Sequence, residues 1–313
     1  MTLVIFGPTA TGKTDLAIKL AKKFNGEIIS ADSRQVYKKL DIGTGKLSKN
    51  LTAGHKITKS KEHWTVDGVK IYGFDLRDPG KSFSAAEFIA FAKPKIKNIH
   101  KSNKLPIITG GTGFYIKSLI SPPETINIKQ NQKLRLQLTK LGTINLFKKL
   151  QKLDSQKAKS LNNSDKNNPR RLIRAIEVAI SIAKKNPGKA SNDQYLILGL
   201  TANNDYLYAK VDDWLNYRLQ NGLVEEVKDL LKKIDPQWLI ALGLEYSWIT
   251  RYINKEISKN VAKDRLKGDI HKLIRTQKNW FHQFPNIKLF DITKTNWRIR
   301  LEKTVSLWYT QGK

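Results

Sequence analysis

The chain has no cysteine, and its five histidines are scattered without the spacing that a metal site requires. A disulfide framework is therefore excluded, and a structural zinc site is not expected. The chain also lacks an apolar run of about 18 residues, the length that a membrane-spanning helix needs. Nothing at its N-terminus resembles a signal peptide. These absences predict a soluble, cytoplasmic protein with no membrane association.

Acidic residues are few, with 27 Asp and Glu against 57 Lys and Arg, which gives a formal charge of +30. A field of that sign raises the rate of encounter with polyanions, and nucleic acid is the obvious one. A lysine-biased proteome with solvated surfaces is the alternative explanation. Because 40% of the 313 residues are hydrophobic, the chain should be globular, with one large or two modest domains.

Residues 7–14, GPTATGKT, fit the P-loop pattern of a glycine, four residues and then Gly-Lys-Thr. An apolar run at 3–6 precedes them, and a helical apolar stripe at 16–24 follows, as that motif requires. Backbone N–H groups of such a loop converge on a phosphate, Lys13 neutralises it, and the Thr14 hydroxyl is placed to bind Mg²⁺. The motif alone leaves kinases, GTPases and motor ATPases open.

Two further apolar runs, at 27–31 and 105–109, end in polar or glycine-rich segments, namely Asp32 and GGTG at 110–113. Strands that alternate with helices predict an α/β fold with a parallel, doubly wound sheet. Ligands bind at the carboxyl ends of such strands, so the three motifs should face one crevice. Ser84 and Glu87 form a capping-box pattern, which predicts a helix that runs to about His100.

From 122 to 190 the strand patterns disappear, which predicts a helical insertion domain between core segments 1–121 and 191–313. We expect the chain to enter it through 121–123 and to leave it through 186–188. Asn168 and Pro169 mark a helix start, and apolar residues then form one stripe. That stripe consists of Leu172, Ala175, Ile176, Ala179 and Ile180. Arg170 and Arg174 should lie on the opposite face, towards solvent or a partner. A strand at 195–200 and then helices from 205 onward follow.

Several motifs together resemble the tRNA dimethylallyltransferases, which prenylate the adenosine immediately 3′ of the anticodon. The specific ones are GPTATGKT, ISADSRQVYKKLDIGTGK (29–46), GGTGFY (110–115), DLRDPGKSFSAAEF (75–88) and NNPRRLIRAIEV (167–178). Weaker ones are GLVEEVKDLL (222–231), ALGLEY (241–246) and RTQKNWF (275–281). The resemblance implies a P-loop NTPase-like sheet flanked by helices, with dimethylallyl diphosphate as donor and the tRNA anticodon stem-loop as acceptor. We expect a monomer.

In this family the P-loop holds the leaving diphosphate and need not bind ATP. The resemblance implies that Gly7, Thr9, Ala10, Thr11, Gly12, Lys13 and Thr14 bind it. Lys13 and a Mg²⁺ ion on Thr14 would stabilise the charge that gathers as the allylic C–O bond breaks. Thr112 matches the threonine that hydrogen-bonds near that bond, so Lys13 and Thr112 are candidate catalytic residues.

Asp32 matches the general base of the family. The exocyclic amine of adenine must lose a proton as it attacks, and a carboxylate can take it. The alternative is that Asp32 caps a helix or binds Mg²⁺.

The target adenosine must be flipped out of the anticodon stack before it can enter such a crevice. By resemblance, the tRNA contacts are Asp32, Ser33, Arg34, Gln35, Arg135, Arg170, Arg171 and Arg174. For Arg170 and Arg174 a merely solvated face is the alternative.

The chain departs from the family pattern in the later motifs. Gly243-Leu244-Glu245 places an anion where the family has a cation, Arg275-Thr276-Gln277 replaces Lys-Arg-Gln, and 47–70 hold an insertion of little recognisable pattern.

A family arginine that helps to hold the diphosphate is replaced by Trp214, and Arg218 follows one turn later. Because a buried guanidinium needs an anion, we hypothesise that Arg218 reaches over Trp214 to the diphosphate. The alternative is an ion pair with a local carboxylate such as Asp213 or Glu225.

Two other functions compete with prenyl transfer. One is a P-loop kinase that acts on a nucleoside or small metabolite, which would need a γ-phosphate site and a lid arginine. The other is a non-catalytic basic RNA-binding protein, against which the intact candidate residues argue.

Overall fold

The computed structural model describes residues 1–48, 54–181 and 194–311. The chain divides into two compact units, one made of residues 1–120 and 191–313 and the other of residues 121–190. The expected exit from the insertion at 186–188 lies outside the described residues. Within the described ranges, no helix combines the length and the apolar character that crossing a membrane requires.

The larger unit contains an eight-stranded sheet with the order β3-β4-β5-β2-β6-β1-β7-β8. The neighbouring strands β5, β2, β6, β1, β7 and β8 run parallel. At the other edge, β4 pairs antiparallel with both β3 and β5. The strands are β1 (Thr2–Phe6), β2 (Gly26–Ser30), β3 (Ile57–Lys59), β4 (Trp64–Val66), β5 (Val69–Tyr72), β6 (Leu105–Gly110), β7 (Tyr195–Thr201) and β8 (Lys288–Asp291). The central strands β1 and β6 are buried along their whole length, which is why they read as continuous apolar runs.

The helices that precede the smaller unit are α1 (Lys13–Lys23), α2 (Ala85–Lys101) and α3 (Gly113–Ile120). The smaller unit contains α4 (Gln132–Leu138), α5 (Thr143–Leu153), α6 (Ser155–Ser160), α7 (Asn163–Lys166) and α8 (Pro169–Ile180). The chain then forms α9 (Asn204–Gln220), α10 (Leu223–Leu231), α11 (Pro236–Leu242), α12 (Leu244–Ile253), α13 (Lys259–Asn279), a 3-10 turn (Trp280–Gln283) and α14 (Trp297–Gln311).

Two predicted helix starts are confirmed. The Ser84 hydroxyl accepts the N–H of Glu87, and the Glu87 carboxylate accepts the N–H of Ser84, which is a complete capping box for α2. Asn168 accepts the N–H of Arg171, and Pro169 occupies the first position of α8.

Two apolar clusters hold the larger unit together. One lies between the sheet and the helices α1 and α14, around Leu3, Leu20 and Ile107. The other joins α9 to α13 with the segment after β2, around Leu40, Val211 and Ile270. The second cluster places the C-terminal helices against the carboxyl end of the sheet.

The segment 47–70, in which we saw little pattern, contributes β3, β4 and part of β5. Asp67 and Gly68 both have positive φ, 48° and 82°, which is the geometry of a two-residue hairpin turn. An Asp-Gly pair between Val66 and Val69 is the standard sequence signal for that turn, so the hairpin was predictable from the sequence. β8 was missed as well, because it is only four residues long and largely exposed.

The smaller unit packs its helices around Leu146, Leu150, Leu172 and Ile176. The predicted stripe of α8 is partly wrong, since Ile180 is 44% exposed and Ile173 is buried in its place.

Glu177 is the polar centre of this unit. It is 4% exposed and accepts hydrogen bonds from Arg135 Nε at 2.6 Å and from the N–H of Asn131 at 3.0 Å. Burial acts to raise the pKa of Glu177, but these bonds and one from Arg174 hold that pKa below its ordinary value. Arg174 Nη2 also donates to the carbonyls of Thr125 and Ile128, each at 2.9 Å. Arg174 therefore binds its own unit together, although 31% of its side chain is exposed.

Candidate active site

The P-loop leaves β1 in tight contact with the neighbouring strand. A Cβ on Gly7 would lie 2.4 Å from the carbonyl oxygen of Leu200 on β7, so only glycine fits there. Ala10 and Gly12 have positive φ, and Gly12 precedes α1 without a side-chain cap on that helix. The N–H groups at the start of α1 are therefore not capped by a side chain, which suits an anion.

Lys13 folds back over this loop. Its Nζ donates to the carbonyl of Pro8 at 2.6 Å, and the Thr11 hydroxyl donates to the same oxygen at 2.8 Å. Loss of hydration lowers the pKa of Lys13 to about 8, and the nearby Asp32 carboxylate opposes that change. Lys13 is thus held against the loop as an ammonium that persists at neutral pH and loses its proton above about pH 8.

Asp32 stands in the turn that follows β2. Its Oδ1 accepts the N–H of Arg34 at 2.9 Å and that of Gln35 at 3.3 Å, so the carboxylate shapes its own turn. The Thr112 hydroxyl accepts the N–H of Ser33 at 3.0 Å in the same turn. This contact brings the GGTG segment after β6 to the Asp32 turn, as two neighbouring strand ends allow.

Gln277 on α13 joins the P-loop to the GGTG segment. Its Oε1 accepts the N–H of Thr9 at 2.9 Å, and its Nε2 donates to the carbonyl of Gly111 at 3.1 Å. Gln277 is not among the site residues predicted from the sequence. The signal was present, because Gln277 is a polar residue at the end of the buried stripe of α13, which runs through Ala262, Leu266, Ile270 and Ile274.

These elements surround one cavity of about 540 Å³. The P-loop, Asp32 and the strand end at Thr109 to Gly111 all line it, so the three motifs do face one crevice. Its cationic lining residues are Lys13, Arg34, Lys210, Arg218 and Arg298, and its acidic ones are Asp15, Asp32, Asp213 and Glu245. The lining therefore carries a small excess of positive charge, and the backbone N–H groups of the P-loop contribute further positive potential.

Arg218 is buried in the wall of this cavity, with its guanidinium carbon 5.5 Å from the centroid of the Trp214 ring. Its partners are Glu245 at 2.9 Å and the carbonyl of Gly43 at 2.7 Å. The alternative of an acidic partner was right in kind but wrong in position, because this carboxylate comes from α12 and is neither Asp213 nor Glu225.

The predicted tRNA contacts fall in both units. Ser33, Arg34 and Gln35 stand in the Asp32 turn of the larger unit. Arg135, Arg170, Arg171 and Arg174 belong to the smaller unit, where Arg171 pairs with Asp165.

A largely parallel sheet with the GPTATGKT loop after its first strand and a cavity at the strand ends defines a P-loop NTPase-like fold. The chain belongs to the IPP transferase family, whose model matches residues 35–284, and the model of isopentenyl transferases matches residues 1–59.

The relatives agree with that assignment. The chain is 36% identical to the tRNA dimethylallyltransferase of Caldanaerobacter subterraneus over 92% of this chain and 90% of that one. It is also 36% identical to that of Clostridioides difficile, over 93% and 91%. A solved tRNA delta(2)-isopentenylpyrophosphate transferase of Staphylococcus epidermidis is 30% identical, with a TM-score of 0.67 over 99% of both chains. The predicted family and fold class are confirmed.

The pKa of Lys13 predicts how anion binding depends on pH. The ammonium is present below about pH 8 and is lost above it, so the affinity for inorganic diphosphate should fall as pH rises. The fall should approach tenfold for each pH unit above that value. Calorimetric titration from about pH 6.5 to about pH 9.5 measures it. Lys13→Arg, whose guanidinium stays charged, corrects for ionisation of the ligand itself. A constant ratio of the two affinities would contradict the prediction.

Gln277→Met should separate the two loops. It retains the volume but leaves the N–H of Thr9 and the carbonyl of Gly111 without their partner, so the free energy of unfolding should fall by about 1–3 kcal/mol. Affinity for inorganic diphosphate should fall as well. Urea unfolding and calorimetry measure both, and Thr276→Ala, an exposed change on the same helix, is the control. Unchanged diphosphate affinity would remove Gln277 from the site.

Proposed function

We propose that this chain transfers the dimethylallyl group of dimethylallyl diphosphate to the exocyclic amine of the adenosine immediately 3′ of the anticodon in tRNA. A C–N bond forms, the allylic C–O bond breaks, diphosphate leaves and the amine loses a proton. The observation that carries this proposal is that a phosphate cradle and a carboxylate, Asp32, line the same cavity. The names of the relatives support it over phosphorylation of a small metabolite.

The leaving diphosphate would be held by the loop amides and by Lys13. Charge grows on the phosphate oxygens as the allylic bond breaks, and donors that are already aimed there stabilise it without reorganisation. The Thr112 hydroxyl, fixed against the N–H of Ser33, would steady the bridging oxygen. These groups act on the donor only.

Asp32 would take the proton of the amine. The lone pair of that amine is delocalised into the ring, so attack and proton loss must be coupled. Both N–H groups of the turn bind Oδ1. Asp32 therefore holds its own turn through Oδ1 and also lines the cavity, where its carboxylate would act as the base.

Mg²⁺ fits the site as an ion held mainly by the donor. Among the described residues there is no group of three or more His, Cys, Asp or Glu side chains that could hold a metal. Mg²⁺, however, commonly binds substrate phosphates and water with only one or two protein oxygens. The Thr14 hydroxyl and the Asp15 carboxylate line the cavity and are the residues that would hold it. The ion would neutralise charge on the diphosphate.

In the larger unit, the Asp32 turn would receive the acceptor adenosine. Arg170 and Arg171 are exposed at the start of α8, where they suit RNA phosphates. Arg135 and Arg174 are bonded to Glu177, so we assign them to holding that surface in shape. Action as a monomer and a cytoplasmic location stay predictions.

The direct test is product formation. The purified chain is incubated with unmodified tRNA and labelled dimethylallyl diphosphate, and the digested RNA is analysed for a prenylated nucleoside. We expect that nucleoside with Mg²⁺ and its loss with a chelator. Transfer of label from γ-labelled ATP to a nucleoside, with no prenylated product, would identify a kinase instead.

Asp32→Asn should lower turnover by roughly 10² to 10⁴. The asparagine oxygen can still accept the turn N–H groups, so binding of inorganic diphosphate should be nearly intact. Single-turnover kinetics and calorimetry separate the two effects, and Asp213→Asn, another acid of the cavity wall, is the matched control. Equal activity of the Asp32 variant would remove Asp32 from the mechanism.

A further inference from the structure

A ring of polar contacts runs through the wall that carries Asp32, and Glu245 closes it. Its members come from the Asp32 turn, the loop of residues 41–46, the end of α9 and the start of α12. Glu245 is 5% exposed, as is Arg218. A buried charge that loses its partner destabilises the protein strongly. Each of these charged side chains is therefore held in place by the group that it contacts.

One half of the ring consists of ion pairs. Glu245 Oε1 lies 2.9 Å from Arg218 Nη1, and Oε2 lies 3.3 Å from Arg34 Nη1. Arg218 donates from the same nitrogen to the carbonyl of Gly43 at 2.7 Å, and Arg34 Nη2 donates to the carbonyl of Leu242 at 2.8 Å. One carboxylate thus orients two guanidinium groups from different elements.

The other half returns to the turn through Gln35. Its Nε2 donates to the carbonyls of Thr44 at 3.3 Å and of Gly45 at 3.1 Å. The loop that carries these carbonyls is itself fixed by hydrogen bonds. Glu226 accepts the N–H groups of residues 41, 42 and 43 at 2.7 to 2.9 Å, and the Tyr246 hydroxyl donates to Glu226 at 2.8 Å. The ring therefore fixes the direction of the Arg34 and Gln35 side chains, which lie two and three residues after Asp32.

This arrangement changes the role that Arg218 can take. Nη1 is committed to Glu245 and to Gly43, and Nε is buried without a hydrogen-bond partner in the described residues. The guanidinium also lies over Trp214. Because three contacts hold this guanidinium, it is suited to orienting its neighbours and not to changing position when a ligand binds or dissociates.

We propose that Glu245, with Arg218 behind it, is a positioning residue for the acceptor nucleoside and not part of the diphosphate site. It holds the Arg34 guanidinium and the Asp32 turn in the orientation that receives the adenosine. The proposal rests on the proposed function only in naming that acceptor. It predicts that damage to the pair affects binding of the RNA and leaves binding of the diphosphate unchanged.

The test measures the two ligands separately. Glu245→Gln keeps the shape but removes the charge, so affinity for an unmodified anticodon stem-loop RNA should fall about tenfold or more. Affinity for inorganic diphosphate should stay within about twofold of the original, because no contact of the phosphate cradle is altered. Arg218→Met should give the same pattern, and the double variant should lose less than the sum of the two single losses, since both break one unit. Fluorescence anisotropy and calorimetry give the two affinities.

Two further variants keep the test decisive. Arg34→Lys retains the charge in a partly exposed side chain but replaces the two guanidinium nitrogens that reach Glu245 and Leu242 by one ammonium nitrogen, so it should show the same loss for RNA alone even where a Glu245 variant fails to fold. Glu27→Gln is the matched control, because Glu27 is a buried carboxylate at the start of β2, bonded to Lys104 and Tyr72. It should change neither affinity.

Loss of diphosphate affinity with RNA affinity unchanged would assign Arg218 and Glu245 to the donor site and overturn the proposal. Equal losses for both ligands, or no loss for either, would overturn it as well. Both affinities are measured without any prenyl transfer. If the unaltered chain binds the RNA but forms no prenylated product, the proposed function is wrong, and the affinities of the variants still decide whether Glu245 positions the acceptor.

Discussion

At the carboxyl edge of the sheet, backbones approach each other so closely that side chains cannot lie between them. A Cβ on Gly7 would meet the Leu200 carbonyl at 2.4 Å, and one on Gly110 would meet the Ala31 carbonyl at 2.2 Å. β1 is thereby locked to β7, and β6 to the segment after β2. The P-loop, the GGTG segment and the Asp32 turn consequently leave the sheet side by side, and the cavity is the space that they enclose.

Buried polar side chains complete what this packing begins. Gln277 connects the P-loop with the GGTG segment, Glu226 collects three N–H groups of the loop 41–46, and Gln35 connects that loop with the Asp32 turn. Lys46, 1% exposed, pairs with Asp41 and Asp75 beneath the same loop. Loops rarely hold a precise shape by apolar contact alone, because their backbone groups need partners. Here Gln277 and Glu226 come from elements that are distant in sequence, so loop geometry depends on the complete fold.

The smaller unit shows that one cluster of arginines can serve two purposes. NNPRRLIR places several guanidinium groups on the first turns of α8, a pattern that suggests a surface for phosphate. Arg174 and, from α4, Arg135 are nevertheless bonded to the buried Glu177, whereas Arg170 and Arg171 are exposed. The sequence pattern cannot tell an arginine that binds Glu177 from one that is exposed to a partner. Glu177 lies on the same helix, and the spacing of charged residues does not reveal that it is buried.

The sequence by itself determined the family, the α/β class, the P-loop and the crevice in which three motifs meet, because each depends on local chemistry at short spacing. The capping box of α2 and the Asn168-Pro169 start of α8 were readable for the same reason. Short or exposed strands were not, since β3 and β8 carry little apolar pattern, although Asp67-Gly68 marked the hairpin beside them. Only the tertiary structure decided that Arg218 pairs with Glu245, that Gln277 bridges two loops and that Arg174 binds its own unit. Those contacts join residues that are separated by 27 to 268 positions, or depend on a carbonyl in a loop, and an ion pair forms wherever folding brings opposite charges into the same buried space.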